Sequence, residues 1–304
     1  MTRIDTTHRA LRADGLLLLT AVIWGFAFVA QRMGMEHVGP FGFNGVRFAL
    51  GCLVLLPLIL RRAPAGRIDP PSPPVRGGGL LAGLVLFCGA SFQQVALVYT
   101  TAGKAGFITG LYVVLVPVLG AALGQRTHAG AWTGALLAAA GLYLLSVTEQ
   151  LAFAPGDLLV LIGAGFWAVH VLLIGWLSPR QDPLRLAFAQ YAVCSLLSLL
   201  ASAALEPNAL DGYRAAALPI LYGGVLSVGV AYTLQVVAQQ EAKPAHAAIL
   251  LSLETVFAAL GGWLVLGETL SPRGLVGCAL MFAGMLVSQL WRIPRSETPG
   301  GAGC

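Results

Sequence analysis

Long apolar stretches recur along the whole chain and are separated by short polar connections. The ten apolar windows are 15–34, 41–60, 77–98, 104–124, 130–147, 156–177, 184–204, 215–238, 244–267 and 272–291. Each window is close to the ~20 residues that an α-helix needs to cross ~30 Å of hydrocarbon. The pattern therefore predicts an all-α integral membrane protein with ten transmembrane helices.

The composition supports this prediction. The 304 residues are 57% hydrophobic and 10% charged, with a mean hydropathy of +0.81, far outside the ordinary range of soluble proteins. The largest connection is the Pro/Gly/Arg-rich sequence RRAPAGRIDPPSPPVRGGG. Four of the five cysteines, Cys52, Cys88, Cys194 and Cys278, lie inside predicted spans and Cys304 ends the chain, so no disulfide framework is predicted. The chemistry is therefore expected within the helix bundle.

The distribution of basic residues predicts the orientation. If the N-terminus is cytoplasmic, most Arg and Lys fall in inner segments, and the outer loops carry only Lys104, Arg214 and Arg273. The positive-inside rule then places both the N-terminal segment 1–14 and the tail 292–304 in the cytoplasm. The net charge of +5 is interpreted as this topology signal rather than a nucleic-acid surface, because the basic residues are spread over loops. The first apolar window is full length and no A-x-A-like cleavage site follows it, so we interpret it as an uncleaved span.

An internal repeat emerges when the sequence is shifted by 143 positions. The shift aligns Trp, Pro and Gly landmarks and lays the sequence LGQ on the sequence LGE. The aligned pairs are Trp24 with Trp167, Pro40 with Pro183, Gly124 with Gly267, Gly134 with Gly277 and Gly141 with Gly284. One register through five helices predicts two repeats, 15–147 and 156–291. Because each repeat has an odd number of spans, the second enters the membrane from the opposite side, and the repeats are predicted to be inverted.

Inverted repeats point to a class of function. Each half can adopt the conformation of the other, so that a site between them opens first to one side of the membrane and then to the other. The sequence AGKAG around Lys104 lacks the spacing and the hydroxyl of a phosphate-binding G-x-x-x-x-G-K-[ST] loop. The sequence therefore predicts a secondary transporter that works by alternating access, and it predicts no cofactor.

Four stretches carry a family resemblance: IWGFAFVAQ in the first span, RFAL at Arg47, LYVVLVPVLGAALG in the fourth span and LLSLETVFAALGGWLVLGE in the ninth. On these motifs the chain resembles the drug/metabolite transporter superfamily, specifically its ten-helix EamA-type exporters, over about residues 15–291. The resemblance implies export of small metabolites, often amino acids, across a bacterial inner membrane. The chain departs from the family pattern at Thr255, where Pro often follows the Glu, and at Gln125, where a second Glu is common. A coupling role that needs both carboxylates is therefore not carried over.

Polar side chains inside the spans are expected to face the bundle interior, because contact with lipid is costly for them. Trp24, Phe28 and Gln31 share one helical face at i, i+4 and i+7. The candidate substrate-binding residues are Trp24, Phe28, Gln31, Ser91, Gln94, Tyr112, Trp167, His170, Tyr232 and Gln235. Gln93 is expected to turn aside. Trp24 and Trp167 lie ~14 Å into their spans, too deep for interfacial anchors. Hydrogen bonding between helices remains the alternative role for each Gln.

Three ionisable residues within spans are candidates for gating or coupling: Arg47, Glu254 and His246. Several interpretations of Arg47 are open: it binds a substrate carboxylate, it pairs with backbone carbonyls or stabilises the outer gate, or it extends to the interface. Glu254 lies ~15 Å beyond Pro244, near the midplane, where an ionised carboxylate costs at least ~2.5 kcal/mol. It is either a protonated carboxyl bonded to a neighbouring helix or a cavity-facing group that binds a substrate ammonium or exchanges a proton. His246 and His170 are each either a helix-contact residue or a titratable member of the pathway.

Glycines spaced as G-x-x-x-G predict close helix packing. The pairs are Gly79/Gly83, Gly106/Gly110, Gly120/Gly124 and Gly130/Gly134. Their positions indicate that spans four, five, nine and ten pack at the rear of each half, and that the other six spans enclose the pathway. A monomer is expected, and the same glycine faces offer a dimer interface as the alternative.

The predicted substrates are small neutral metabolites, above all amino acids with hydrophobic or aromatic side chains. Few Lys or Arg residues lie within spans to bind phosphates, whereas aromatic walls and amides suit such amino acids. Hydrophobic cationic drugs are the alternative, because aromatic rings and one carboxylate also suit them, and a channel is a further one. No catalytic pair and no metal-ligand spacing such as H-E-x-x-H is found, so neither enzymatic activity nor a metal site is predicted. The expected partners are the substrate and the lipid bilayer, without nucleic acid.

Overall fold

The structure is a computed structural model that describes residues 3–61, 77–100, 102–146, 155–207, 210–267 and 271–291. Every regular element within these residues is helical. The α-helices are α1 Arg3–Gly34, α2 Pro40–Arg61, α3 Gly78–Tyr99, α4 Ala102–Gly110, α5 Tyr112–Ala122, α6 Ala129–Ser146, α7 Pro155–Leu177, α8 Pro183–Leu205, α9 Leu210–Ala215, α10 Ala217–Leu221, α11 Thr233–Ala238, α12 Pro244–Leu251, α13 Glu254–Leu266 and α14 Pro272–Leu290. A 3₁₀ turn at Ser178–Arg180 follows α7, and a π-helix at Tyr222–Tyr232 joins α10 to α11. Glu268, Cys304 and the predicted tail 292–304 lie outside the described residues.

Eight helical stretches of the described chain are long and apolar enough to cross a membrane. They are His8–Gly34, Pro40–Arg61, Gly78–Tyr99, Ala105–Ala122, Gly156–Arg180, Pro183–Leu205, Ala217–Ala238 and Pro244–Val265. The last helix of each predicted half is shorter, with apolar segments at Ala129–Leu144 and Pro272–Ser288. The prediction of an all-α membrane protein is confirmed, although by length and composition eight rather than ten helices qualify as full spans.

Two of the long apolar stretches are interrupted at their middle. One residue separates α4 from α5, and two residues separate α12 from α13. Leu111 and Leu253, the residues just before α5 and α13, have nearly identical backbones, with φ −60, ψ −15 and φ −61, ψ −14. At both points backbone N–H groups donate to the carbonyl oxygen three residues earlier in the chain, a 3₁₀-type pattern that tightens the turn. Each interruption therefore places the first residue of a new helix, Tyr112 or Glu254, in the interior of the bundle.

Two glycines with positive φ end the helices that follow these interruptions. Gly124 has φ 76 after α5, and Gly267 has φ 68 after α13. This left-handed conformation favours glycine because it has no Cβ to clash with the backbone. The two residues are also one of the pairs that the 143-residue shift aligns, so the same stop signal occurs at the same place in both predicted halves.

α6 and α14 pack against each other over most of their length. A Cβ added to Gly134 would lie 2.7 Å from the carbonyl oxygen of Gly284, and one added to Gly141 would lie 2.5 Å from that of Gly277. The backbones therefore touch at two points, and the order of the pairs shows that the helices run antiparallel. This close approach is the packing role predicted for spans five and ten.

The remaining helices surround the centre of the molecule. α2 packs on α8, α3 on α7 and α8, and α1 on α13 and on the π-helix. The helices α4, α5, α12 and α13 also reach the centre, where Thr109, Tyr112, Leu251 and Glu254 line the cavity described below. The expectation that spans four and nine only pack at the rear is therefore wrong, because their interruptions carry side chains inward.

Candidate functional site

A cavity with mostly apolar walls and a few polar side chains lies in the middle of the helix bundle. Its walls come from both predicted halves and are formed by Trp24, Ala27, Phe28, Gln31, Arg47, Gln93, Thr109, Tyr112, Trp167, Val171, Ser227, Tyr232, Gln235, Leu251 and Glu254. The cavity volume accessible to water is about 30 Å³, room for about two waters. The cavity is therefore narrow, and a larger ligand requires its walls to move apart.

The structure places seven of the ten candidate substrate residues in the walls of this cavity: Trp24, Phe28, Gln31, Tyr112, Trp167, Tyr232 and Gln235. Two of the three gating candidates, Arg47 and Glu254, line it as well. Ser91, Gln94 and His170 are not among the lining residues, and neither is His246. Sequence reasoning missed Thr109 and Ser227, whose small hydroxyl-bearing side chains and carbonyls look like ordinary members of an apolar helix.

Gln93 lines the cavity in place of Gln94. The prediction was the reverse, with Gln94 in the site and Gln93 facing away from it. The indole Nε1 of Trp167 donates to Gln93 Oε1 at 2.8 Å, and Gln93 Nε2 donates to Gln31 Oε1 at 3.3 Å. Adjacent residues on a helix point about 100° apart, and α3 is apolar on most sides, so its sequence does not fix which Gln points inward. Packing on α7 and α8 fixes it instead. Gln94 is fully buried away from the cavity.

His170 lies behind the cavity wall rather than in it. Its Nε2 is 2.8 Å from Oε1 of Gln190, and its ring stands edge-on to the rings of Trp167 and Tyr232, with centroids 6.0 and 6.4 Å away. The imidazole is fully buried. Its position is that of a residue supporting the aromatic wall. Ser91 is half-buried on α3, outside the lining.

An aromatic wall forms one side of the cavity. Tyr232 is at its centre, with ring centroids 4.4 Å from Trp24 and 6.0 Å from Trp167. The indole Nε1 of Trp24 donates to the backbone oxygen of Ser227 at 3.2 Å. Ser227 and Tyr232 both belong to the π-helix, whose wide turns are frequent at functional sites. The two Trp residues are therefore held at fixed orientations by hydrogen bonds from opposite halves.

Arg47 is buried in the cavity wall with a relative exposure of only 2%. Its Nε donates to Asn44 Oδ1 at 2.9 Å, and its Cζ lies 5.7 and 5.0 Å from the ring centroids of Phe43 and Phe48. Asn44 is itself fixed, since its Nδ2 donates to the backbone oxygen of Ala90 at 3.1 Å. Arg47 forms no ion pair with any described residue. The guanidinium is thus held by its Nε edge and its faces.

Glu254 is the first residue of α13 and is 4% exposed. Its carboxyl group lies beside Tyr112, the first residue of α5. Gln235 lines the same cavity with a buried Oε1 that has no hydrogen-bond partner. Glu254 and Gln235 therefore both bring acceptor oxygens to the cavity wall.

His246 lies outside the central cavity, in a trio of polar side chains. Its Nε2 is 2.8 Å from Asp14 Oδ1, and its Nδ1 is 3.0 Å from Ser288 Oγ. No catalytic pair is predicted from the sequence. The sequence gives no local sign of this Ser/His contact, because the three residues come from α1, α12 and α14. Ser288 is fully buried. The trio joins three helices, and among the described residues no group of His, Cys, Asp or Glu could hold a metal ion.

A bundle of membrane-length helices around a narrow central cavity that contains a buried Arg and a buried Glu indicates a multi-pass membrane transporter. A family model described as the EamA-like transporter family matches the chain twice, at residues 11–147 and 154–289. The chain belongs to the EamA-like transporter family, as its resemblance to the drug/metabolite transporter superfamily predicted.

Several similar proteins span nearly the whole chain. It is 33% identical to an uncharacterized transporter of Archaeoglobus fulgidus over 93% of this chain and 87% of that protein. It is 27% identical to the uncharacterized inner membrane transporter YedA of Escherichia coli K12, over 90% of each. It is also 27% identical to a probable amino-acid metabolite efflux pump of Salmonella typhimurium, over 95% of this chain and 99% of that protein. One solved crystal structure superposes with a TM-score of 0.76 at 22% identity, covering 92% of this chain and 98% of the other, which shows the shared fold.

Proposed function

We propose that the protein is a secondary transporter that exports small neutral metabolites, above all amino acids with hydrophobic or aromatic side chains, across a bacterial inner membrane. The observation that carries the proposal is the narrow central cavity, which combines an aromatic wall with one buried Arg and one buried Glu. An aromatic wall takes up the apolar part of such a substrate, and a few polar groups orient the rest. The relative named as a probable amino-acid metabolite efflux pump supports the same substrate class.

Alternating access between two inverted five-helix repeats, 15–147 and 156–291, is the proposed mechanism. The family model matches once in each repeat. The α6–α14 contacts support a two-fold relation, because the shift that carries Gly134 to Gly277 also carries Gly141 to Gly284, so each contact point is the image of the other. α6 and α14 have 18 and 19 residues, a length of ~27 Å, and they complete ten crossings. The cavity is complete within one chain, which is consistent with a working monomer.

The proposed orientation has both termini in the cytoplasm, and it rests on the excess of basic residues in the segments assigned to that side. The relative YedA is named as an inner membrane transporter, which supports the proposed location. We assign the protein no enzymatic activity and no cofactor, since the proposed cycle needs only movement of the two repeats and binding of the substrate between them.

Efflux of hydrophobic cations is the second candidate, favoured by the position of Glu254 among aromatic rings. Arg47 argues against it, because a guanidinium in the same cavity wall repels a cationic ligand where the dielectric screening is weak. A channel is less compatible with the geometry, since the central cavity holds only about two waters.

Counterflow into proteoliposomes tests the proposal. Purified protein is reconstituted, and uptake of labelled phenylalanine, methionine and threonine is compared with uptake of ethidium, with protein-free liposomes as the control. Uptake of phenylalanine and methionine that is accelerated by the same unlabelled amino acid inside the vesicles is expected. Accelerated exchange of ethidium without any amino acid would establish cation efflux instead, and planar-bilayer currents above carrier turnover would establish a channel.

A further inference from the structure

We infer that Arg47 and Glu254 are the two opposite charged poles of a single substrate site, so that its ligands are zwitterions bound with the carboxylate on Arg47 and the ammonium group on Glu254. This inference rests on the proposed transport function and specifies the substrate class of the same cavity. It selects α-amino acids over both amines and carboxylic acids that carry the same side chain.

Arg47 is built as a carboxylate receptor. Its Nε is engaged by Asn44 and its faces by Phe43 and Phe48, so the side chain is held in place by contacts that leave its outer edge uncommitted. The side chain lines the cavity, and its two terminal nitrogens form no hydrogen bond with a described residue. A guanidinium offers two parallel N–H donors that match the two oxygens of a carboxylate. An anionic group of the ligand therefore supplies the partner that the terminal nitrogens of this buried cation lack.

The carboxyl group of Glu254 forms the second pole. Glu254 lines the cavity at 4% exposure and forms no ion pair with a described residue. The unpartnered Oε1 of Gln235, on a side chain that is 1% exposed, lines the same cavity. An ammonium group has three N–H donors and no acceptor. A carboxylate and an amide oxygen therefore supply two of the acceptors that such a group needs.

The charges of the cavity decide between ligand classes. Arg47 and Glu254 are the only charged side chains among the residues that line it, and they form no salt bridge with each other. An amine bound at Glu254 leaves the buried guanidinium unpaired, and a carboxylic acid bound at Arg47 leaves Glu254 without a cationic partner. A buried charge without a partner is strongly unfavourable. A zwitterion satisfies both poles at once and leaves the occupied cavity neutral.

The aromatic wall then receives the side chain of the ligand. Trp24, Trp167 and Tyr232 present their rings to the cavity between walls from both halves. Rings held by hydrogen bonds to Ser227 and Gln93 form a fixed surface for an apolar or aromatic group. The charged poles therefore set the class of ligand, and the wall sets the preference for phenylalanine-like side chains.

Three ligands of the same shape and different charge test the inference in proteoliposome counterflow: phenylalanine, phenethylamine, which lacks the carboxylate, and 3-phenylpropionate, which lacks the ammonium group. The wild-type protein is expected to exchange phenylalanine at least about tenfold faster than either analogue, the size of effect given by one charged hydrogen-bonded pair. Arg47→Gln is expected to lower phenylalanine exchange by about tenfold and to favour phenethylamine. Glu254→Gln is expected to lower it similarly and to favour 3-phenylpropionate.

Matched controls make the same chemical changes outside the cavity. Arg185→Gln and Glu36→Gln alter exposed residues, and both are expected to keep the wild-type order of the three ligands. Arg47→Lys retains the charge without the bidentate edge, so it is expected to keep the preference for phenylalanine over phenethylamine with a raised KM. This variant carries the test if Arg47→Gln does not yield monodisperse protein.

The outcomes separate this inference from the transport function. If the wild type exchanges phenylalanine but the Arg47 and Glu254 variants change the exchange rates of all three ligands by the same factor, the two residues are not charged poles. The transport proposal then stands. If the wild type exchanges phenethylamine as fast as phenylalanine, the zwitterion assignment is overturned. If the wild type exchanges none of the amino acids offered, the proposed function itself is wrong.

Discussion

The two predicted halves of the molecule share their scaffold and differ in their chemistry. Corresponding positions carry the left-handed helix stops Gly124 and Gly267, and interruptions lie within one residue of each other at Leu111 and Leu253. The crossing of α6 and α14 uses corresponding glycines from both sides. These features are backbone features, so they are the ones that a duplicated bundle must retain in order to move as two similar bodies.

The charged residues do not follow this correspondence. The position that matches Arg47 is Gln190, which is bound to His170 away from the cavity, and the position that matches Glu254 is Leu111. One pole therefore comes from each half, and neither is duplicated. Under the proposed alternating access, the symmetry of the two halves supplies the movement, and the proposed recognition of a ligand with two different ends depends on the departure from symmetry.

The helices that carry the aromatic wall differ as well. Residues 222–232 form a π-helix that contains Ser227 and Tyr232, whereas the corresponding residues 79–89 belong to the regular helix α3. A π-helix turns less per residue than an α-helix, so it changes which side chains face the cavity. The second half thus provides Tyr232 where the first half provides Gly89, whose added Cβ would lie 3.3 Å from the Trp167 ring.

The largest expected effect comes from breaking the shared scaffold at the α6–α14 crossing. Gly141→Leu and Gly284→Leu each force a side chain against the opposite backbone, since even a Cβ would lie 2.5 Å from Gly277 O and 2.6 Å from Gly134 O respectively. Backbone atoms cannot move aside as side chains do, so each change is expected to cost about 3 kcal/mol or more. Thermal unfolding followed by size-exclusion chromatography in detergent measures the loss of monodisperse protein.

Gly165→Leu is the matched control, because nothing lies within 4 Å of a Cβ at that helical position. If the halves are equivalent in their scaffold, the two crossing variants lower the midpoint by similar amounts and the control changes it little. Unequal losses, with one crossing variant as stable as the control, would contradict the two-fold relation.

An intermediate effect is expected when the two corresponding Trp residues are compared. Trp24→Phe removes the hydrogen bond to Ser227 O, and Trp167→Phe removes the one to Gln93 Oε1. Each change keeps an aromatic ring but releases its orientation, at a cost of about 1 kcal/mol, or about fivefold in the KM for phenylalanine. The exposed Trp176 provides the control Trp176→Phe. A change in KM for Trp176→Phe as large as for the other two would show that the effect does not arise in the cavity.

The sequence could predict the helical class and much of the cavity, because both follow from local patterns. The depth and helical spacing of Trp24, Gln31 and Trp167 predict that all three side chains face the interior of the bundle. The choice of Gln93 over Gln94 depends on how α3 rotates against its neighbours, which no local pattern contains. The interruptions, the π-helix and the contact between Asp14, His246 and Ser288 are likewise set by packing between distant segments.

The smallest expected effect on transport concerns the helix stops, whose substitution is expected to change stability alone. Gly124→Ala and Gly267→Ala place a Cβ at positive φ, which costs about 1–2 kcal/mol at each position, although open space surrounds both sites. The two variants are expected to lower the thermal midpoint equally and to leave the KM for phenylalanine unchanged, because neither residue lines the cavity. Gly165→Ala, in a helix at ordinary φ, controls for the added methyl group. A change in KM for one of the two alone would mean that the halves differ in the moving scaffold as well as in their charges, and the separation of movement from recognition would then fail.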